Sequence, residues 1–463
     1  MIAELFGASV VAAAAVAFTR WRAALYLIIV VGALQDPIRK LTPLTPAIMA
    51  VSSLPIFCAA CLALFARERP WSAFVRALPR VRRPTVLFLL SLLPATALTF
   101  QYGLAAVPMA LIGLFGYLAP LAALLLGFVH ARTAADIRRI LVFYACFTGL
   151  LTVGSFLEYL HMGTEWPVLG TNALGVRWVR GFGNEQVEMI SGLYRSPDLM
   201  GWHAATLAMF ALTLLTEKRR RGTALWILMA AAGSLAAILA GRRKMLIMPV
   251  LWGAVVLFSY VRAGRLARAV SIVALAMVAA AVVYVAAGEV DVESSYYSYA
   301  ASTREEGSRR LREGSFGGVW ESFRQSGPLG RGIGSASQGT QHIGLEEARG
   351  WQESGLSKLA VELGAPGMFC ALLLAAAIAR GCLAVLKKAA RAGEDAPMQI
   401  GLAGFLAANA ASFLISHQVY GDPLVLILTA FVLGVVLSSS RWSQAVVVPI
   451  AWSSRVPSVR AAG

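Results

Sequence analysis

Long apolar runs separated by short polar connections occupy most of the chain. Thirteen such runs can be read, at 4–19, 23–35, 45–65, 85–101, 108–129, 139–158, 198–216, 223–241, 245–261, 268–288, 355–379, 398–416 and 423–439. They are continuous rather than alternating in polarity, which is typical of membrane-spanning helices and not of barrel strands. Because the first two runs are short, the pattern predicts an all-α polytopic membrane protein with about 12 to 14 transmembrane helices.

One long polar segment, residues 289–353, interrupts this pattern between two apolar blocks. It contains the glycine run Gly-Pro-Leu-Gly-Arg-Gly-Ile-Gly at 327–334. It also carries seven arginines and ten carboxylates: Arg304, Arg309, Arg310, Arg312, Arg324, Arg331, Arg349, Glu289, Asp291, Glu293, Glu305, Glu306, Glu313, Glu321, Glu346, Glu347 and Glu353. We expect one membrane domain, 1–463, in which 289–353 is a long outer loop that closes over an active site.

Composition supports the membrane class. Of the 463 residues, 58% are hydrophobic and 14% are charged, whereas a soluble domain is about half apolar and a quarter charged. The net charge of +17 could indicate nucleic acid, but an excess of cations in cytoplasmic connections and attraction to anionic lipid explain it more simply. We therefore expect membrane lipid and no nucleic acid among the partners.

Neither the cysteines nor the histidines predict a metal site or a cofactor. Cys58 and Cys61 have a ligand-like spacing, but they lie in an apolar run without a second pair, so packing is the better interpretation. None of the five histidines has the i, i+4 spacing of a metal pair. The first apolar run has no basic region before it, which favours a retained helix over a removed signal.

The basic connections predict the orientation. Alternate connections are rich in arginine and lysine, at 66–84, 132–139, 218–221, 262–268 and 380–391. These belong in the cytoplasm, which places a short loop, 159–197, and the long loop, 289–353, on the outer side. The side of the amino terminus stays open.

One basic cluster opposes this rule. Arg242, Arg243 and Lys244 fall in a short connection that the alternation places outside. Either two helices are wrongly paired, or the cations are held there to meet an anionic ligand, and we favour the second interpretation. Arg195 could assist, because bidentate guanidinium groups suit phosphate. It precedes Ser196 and Pro197, which predict a helix cap and a first helical position.

Glu353 is the candidate catalytic base of this outer surface. It lies just before the helix expected to begin near Gly355, where Ser354 is a candidate cap and the helix dipole favours a carboxylate. His342 could titrate near neutral pH, although a loop histidine is usually only solvated. The glycine run is either a tight turn or a bare backbone that a ligand approaches closely.

Three stretches resemble the family of O-antigen ligases and Wzy-type polysaccharide polymerases. They are Gly192-Leu-Tyr-Arg-Ser-Pro-Asp-Leu-Met-Gly201, Ala240-Gly-Arg-Arg-Lys-Met245, and a succession from Arg309 through Trp320 and the glycine run to Glu362-Leu-Gly-Ala-Pro-Gly367. The resemblance spans roughly 150–440 and implies a metal-independent membrane glycosyltransferase of the bacterial inner membrane, with its active site facing the periplasm. On this match Arg243 corresponds to a functional arginine, and Arg242 replaces a serine.

The chain also departs from that family. The ligases carry a His-Asn pair where this chain has Glu353-Ser354. The spacing from Trp320 to Pro328 is shorter than in the family, so Arg309, Arg310 and Arg312 are alternative candidates for its loop arginine. The missing histidine favours a polymerase over a ligase, with Glu353 as the base.

The resulting expectation is an inner-membrane polymerase of capsule, exopolysaccharide or O-antigen. It would join repeat units carried on undecaprenyl pyrophosphate, and a chain-length regulator or export proteins could be further partners. Arg243 and Glu353 are the predicted catalytic residues, and the predicted substrate-binding residues are Arg195, Arg242, Arg309, Arg310, Arg312 and His342. The first alternative is a ligase that transfers glycan to another acceptor. The second is a precursor transporter or flippase, although such proteins place more charge at mid-membrane.

Overall fold

A computed structural model describes residues 1–163, 165–182, 185–217, 222–265, 270, 274, 294–301, 317–340, 343–345, 350, 352–391 and 396–444. Its α-helices are α1 (Ile2–Thr19), α2 (Ala24–Leu41), α3 (Leu54–Arg67), α4 (Pro70–Ala77), α5 (Pro79–Thr99), α6 (Val107–His130), α7 (Ala134–Tyr159), α8 (Pro197–Leu215), α9 (Thr223–Leu239), α10 (Arg243–Arg262), α11 (Ser294–Ala301), α12 (Gly318–Ser326), α13 (Gly355–Arg391), α14 (Ala396–Ile415) and α15 (Pro423–Ser438).

Membrane-spanning helices dominate the described residues. Ten helical segments are long and apolar enough to cross a membrane, and α9 and α15 are apolar but shorter. The predicted class, an all-α polytopic membrane protein, is confirmed. The short first two runs are both helices of 18 residues. The predicted run at 268–288 lies almost entirely outside the described residues.

The helix ends gather on two faces. We call the first the loop face; it holds the ends at Leu41, Tyr159, Pro197, Leu239, Arg243, Gly355, Ile415 and Pro423. The other, the basic face, holds Thr19, Arg67, His130, Ala134, Leu215, Thr223, Arg262, Ala396 and Ser438. Long-range contacts join ends within each face, such as Ile190 N to Leu239 O at 3.1 Å and Arg67 Nη1 to Thr19 O at 2.6 Å.

The amino terminus lies on the loop-face side. The contact of Arg67 with Thr19 places the end of α1 on the basic face, so α1 begins on the opposite side. The sequence left this side open, because the first two runs were too short to pair with certainty.

Helix α8 is the centre of the bundle. Of the residues in its span, 89% are buried inside the protein, against 22% for α1. Trp202 and Phe210 are fully buried, and they pack against Phe405 of α14. A helix apolar on all sides is expected in such a central position. The loop-face end of α8 is therefore surrounded by neighbouring helix ends.

Helix α13 is broken near the loop face, and the glycine run fills the break. Gly364 has φ 64° and ψ −173°, which interrupts the helix before Pro366. The freed backbone groups bond to the turn that follows α12: Arg331 N donates to Val361 O at 2.7 Å, and Ala365 N donates to Pro328 O at 2.8 Å. Broken helices are tolerated within membranes only where such partners exist.

A short β-hairpin was not predicted. Strands β1 (Val179–Phe182) and β2 (Glu185–Glu188) pair antiparallel within the short loop between α7 and α8. The sequence shows only scattered glycine, asparagine and tryptophan in this loop. The hairpin lies on the loop face, because it connects the loop-face ends of α7 and α8. Tyr296 of α11 bonds there to the carbonyl of Glu188.

Candidate functional site

The N-terminus of α8 carries a buried carboxylate that faces two of the predicted cations. Ser196 caps the helix, with Leu199 N donating to its Oγ at 3.4 Å, and Pro197 takes the first position as predicted. Asp198 then points into the protein, where its Oδ2 lies 2.7 Å from Arg242 Nη2 and its Oδ1 lies 2.9 Å from Lys244 Nζ. A single carboxylate thus holds two cations.

The tight turn between α9 and α10 brings these cations to Asp198. Gly241 has φ +59°, and a Cβ on it would lie 2.7 Å from Met189 Cγ, so only glycine fits. Ala240 and Met245 pack against Gly201 on α8. The basic cluster that opposes the orientation rule therefore does lie on the loop face, as the second of the two interpretations requires.

Aromatic rings flank the cluster. The guanidinium carbon of Arg242 lies 5.6 Å from the centre of the Trp178 ring, and that of Arg243 lies 4.2 Å from Tyr299. Such contacts stabilise cations by about 0.5–2 kcal/mol, depending on desolvation. They also bring the β-hairpin segment and α11 against the turn between α9 and α10.

The hydrogen bonding of this cluster is incomplete. Arg242 Nε and Trp178 Nε1 are buried, and neither has an acceptor among the described residues. Arg180 also acts electrostatically on Asp198. Buried donors are normally paired, and those without a partner call for an explanation. An acceptor-rich anion would supply what both donors lack.

Glu353 lies at the edge of the same cluster. It lies two residues before α13, whose first turn is capped as predicted, because Ser357 N donates to Ser354 Oγ at 3.1 Å. Its carboxylate is close enough to Lys244 to interact with it electrostatically. Residue 353 is exposed to solvent, whereas the Lys244 side chain is 8% exposed. The structure thus brings the candidate base and the basic cluster together.

Arg195 is placed differently. Its Nη1 lies 2.9 Å from Asp36 Oδ1, its Nη2 lies 2.7 Å from Asp422 Oδ2, and its backbone N donates to Asp36 at 3.1 Å. Burial opposes its charge, but the two carboxylates outweigh that effect and raise the pKa of Arg195 above its usual range. Burial raises the pKa of Asp422 despite this pairing. The predicted role of Arg195 in substrate binding remains a prediction, and a ligand would compete there with two carboxylates.

The glycine run answers the question left open by the sequence. A Cβ on Gly330 would lie 2.7 Å from Gly364 N, and one on Gly332 would lie 2.6 Å from Thr99 N. Both residues have positive φ. Their bare faces are filled by backbone of α13 and α5, so the run is a packed turn rather than a surface that a ligand approaches.

A buried carboxylate fastens this turn. Glu362 is 0% exposed, and its Oε1 accepts from Ala336 N and Ser337 Oγ, both at 2.9 Å. Its Oε2 accepts from Tyr117 Oη at 2.6 Å and lies 3.5 Å from Lys358 Nζ. Every oxygen of this carboxylate is occupied, which indicates a structural role for the glutamate of the Glu-x-Gly-x-x-Gly stretch.

Some predicted residues cannot be placed. Arg309, Arg310, Arg312 and His342 lie outside the described residues, as do 289–293, 302–316, 341–342, 346–349 and 351 of the predicted loop. Their candidate roles stay predictions.

A cavity of about 680 Å³ lies beside the break in α13, away from the predicted site residues. Its lining is mostly apolar and includes Pro94, Leu98, Leu329, Leu363 and Pro366. An apolar cleft suits a hydrocarbon chain and offers nothing to a diphosphate.

Sequence reasoning missed the partners of the cations. Asp36 directly follows one apolar run and Glu158 ends another, and carboxylates in such places are a signal for a polar site. In the sequence, Asp198 appears only as one residue of the stretch 192–201. These carboxylates lie near the loop-face ends of their helices, so charge remains concentrated at that face.

Comparison with known proteins adds no family. No family model matches the chain, and neither does any curated protein. The resemblance carried by 192–201, 240–245 and 309–367 therefore remains an expectation.

Proposed function

We propose that the chain is a metal-independent membrane glycosyltransferase that joins lipid-linked repeat units into a polysaccharide. The observation that carries the proposal is the incompletely paired basic cluster at the loop face, with Glu353 beside it. Arg242 and Lys244 share one aspartate, and Arg242 Nε has no acceptor among the described residues. Such a cluster suits a diphosphate, whose oxygens accept several hydrogen bonds at once.

The diphosphate would belong to undecaprenyl pyrophosphate that carries a glycan. The basic face suits the cytoplasmic side by the positive-inside rule. This supports the proposal that the loop face lies on the periplasmic side of a bacterial inner membrane. The apolar cavity beside the break in α13 has the character needed for part of the lipid chain. The acceptor is a second lipid-linked repeat unit.

In the proposed reaction, Glu353 accepts the proton of an acceptor hydroxyl. The hydroxyl oxygen then forms a bond to the anomeric carbon of the donor, and the bond from that carbon to the diphosphate oxygen breaks. The diphosphate departs with the electron pair and an added negative charge. Arg243, Arg242 and Lys244 stabilise that charge, and the low dielectric of the site strengthens their effect.

The test uses purified full-length protein in lipid vesicles, with lipid-linked glycan extracted from cells that lack this protein. We expect Arg243→Ala to lower the rate of polymer formation about 10²–10³-fold, as removal of a charge-stabilising donor does. We expect Glu353→Gln to lower it about 10²–10⁴-fold through loss of the base.

Arg177→Ala is the matched control. Arg177 is a solvent-exposed arginine of the short loop between α7 and α8, and it pairs with Glu188 at the surface. It should retain the wild-type rate. Polymer of undiminished length from Arg243→Ala would contradict the proposal.

The product distinguishes the alternatives. Transfer of glycan to an acceptor without chain extension would support the ligase alternative. Movement of lipid-linked glycan across the vesicle membrane without new glycosidic bonds would support a transporter.

A further inference from the structure

The connection between α14 and α15, residues 416–422, touches both halves of the proposed site. Ser416 Oγ accepts from Lys244 Nζ at 3.0 Å. The next residue, His417, donates its backbone N–H to Glu353 O at 2.9 Å. Two adjacent residues thus contact the basic cluster and the candidate base.

The ring of His417 joins the Glu353 backbone to a second segment. Its Nδ1 lies 3.1 Å from Glu353 O, and its Nε2 lies 3.1 Å from Ala336 O. His417 is 2% exposed. Because both ring nitrogens face backbone carbonyls inside the protein, the ring is not placed to accept a proton from a substrate.

The charge state of the His417 ring is consistent with a structural contact rather than with proton transfer. Burial and the nearby Lys358 lower the pKa of His417 to about 4, although Glu362 and the two carbonyls oppose the shift. The ring is therefore neutral at pH 7 and donates one hydrogen bond to one of its two carbonyl neighbours.

Both ends of the connection are anchored. Ala336 belongs to the turn that Glu362 fastens through Ala336 N. Tyr420 Oη bonds to Asn409 O at 2.8 Å, and Asp422 pairs with Arg195. A segment fixed at this many points can act as a rigid spacer.

We propose that Ser416 and His417 form a clasp that sets the spacing between Lys244 and Glu353. Both are positioning residues: Ser416 acts through Lys244 on the leaving diphosphate, and His417 acts through Glu353 on the acceptor hydroxyl. The inference rests on the proposed function, because that function defines what the two ends do. Displacement of a catalytic group by about 1 Å can cost about 100-fold in rate.

The first readout needs no activity. Hydrogen–deuterium exchange is measured for peptides covering 350–358 and 416–421 in the wild type, His417→Asn and His417→Phe. The clasp predicts faster exchange in both peptides for His417→Phe and a smaller change for His417→Asn, which keeps one donor. His130→Asn is the control, since His130 is also buried but lies at the basic face between Trp21 and Phe431.

The second readout separates the two residues kinetically, with the lipid extract described above as donor. His417→Asn should lower kcat about 10–100-fold with KM for the donor within about twofold of wild type. Ser416→Ala should instead raise KM for the donor about 3- to 10-fold, because one hydrogen bond that orients Lys244 is lost.

The outcomes are distinguishable. Unchanged exchange in His417→Phe, or equal changes in His130→Asn, would overturn the clasp. Faster exchange with an unchanged kcat would overturn its role in catalysis. A wild-type protein that makes no glycosidic bond would contradict the proposed function, while faster exchange confined to the His417 variants would still support the clasp.

Discussion

Arg195 and Arg242 are two largely buried arginines on the same face of the protein, and their surroundings differ. The Arg195 side chain, 20% exposed, has a carboxylate at each end of its guanidinium. The Arg242 side chain, 14% exposed, shares Asp198 with Lys244, and its Nε has no acceptor in the part of the chain that the structure describes. Within the described ranges, Arg195 has a carboxylate for each end of its guanidinium, whereas Arg242 has a donor without an acceptor.

The ion group around Arg195 is suited to stabilising the fold, whereas the cluster around Arg242 is the one proposed to bind an anion. Asp36, Arg195 and Asp422 join α2, the start of α8 and the start of α15, so this ion group fixes three helix ends. Among the described residues around Asp198, the cations Arg180, Arg242 and Lys244 outnumber the carboxylates Asp198 and Glu353. Excess positive charge and donors without an acceptor among the described residues support the anion site proposed above.

The largest expected effect is on folding, from Arg195→Met. Removing this guanidinium leaves two buried carboxylates without their partner, which costs about 3–5 kcal/mol. We expect a much lower melting temperature in detergent and poor recovery from membranes.

A triple variant that also neutralises the two carboxylates is the control for Arg195→Met. The triple change Arg195→Met, Asp36→Asn and Asp422→Asn removes the uncompensated charges and should recover part of the lost stability. If Arg195→Met melts at the wild-type temperature, the ion group does not hold the helix ends.

The next effect is on activity, from Arg242→Gln. Asp198 keeps Lys244 as a partner, so we expect a stability loss of only about 1 kcal/mol. Polymer formation should fall about 10²–10³-fold, because a donor to the leaving diphosphate is lost. The melting temperature and the rate of polymer formation, measured on one preparation, check both parts. If Arg195→Met and Arg242→Gln destabilised the protein equally, the two sites would not differ in their contribution to stability.

The smallest expected effect comes from Asp198→Asn. Losing this carboxylate leaves Arg242 and Lys244 without their shared counter-ion, so we expect destabilisation of about 1–3 kcal/mol. Added inorganic pyrophosphate should then raise the melting temperature more in the variant than in the wild type, because a bound anion replaces the missing charge. An identical shift in both proteins would mean that the anion binds elsewhere.

Local signals predicted the outline of this site. The alternation of basic connections predicted the loop face, and Ser196, Pro197 and Ser354 predicted helix starts that the structure confirms. These features depend on residues close in sequence, where capping and orientation rules apply directly.

The sequence did not predict the pairings between residues that are far apart in the chain. Arg195 meets Asp36 and Asp422 from positions 159 and 227 residues away, and no local rule predicts such partners. The contact between the glycine run and the helix break at Gly364 likewise depends on how α5, α6 and α13 pack. The sequence therefore identified the cations but not which of them the protein had already neutralised.

Binding of inorganic pyrophosphate to purified protein, measured by isothermal titration calorimetry, tests the central contrast most directly. The wild type should bind it with an affinity that falls as salt rises, and Arg177→Ala should bind equally well. Arg242→Gln should weaken binding at least about tenfold, because buried charge-assisted hydrogen bonds contribute about 1.5–3 kcal/mol. Binding unchanged in Arg242→Gln would contradict the assignment of this cluster as the anion site.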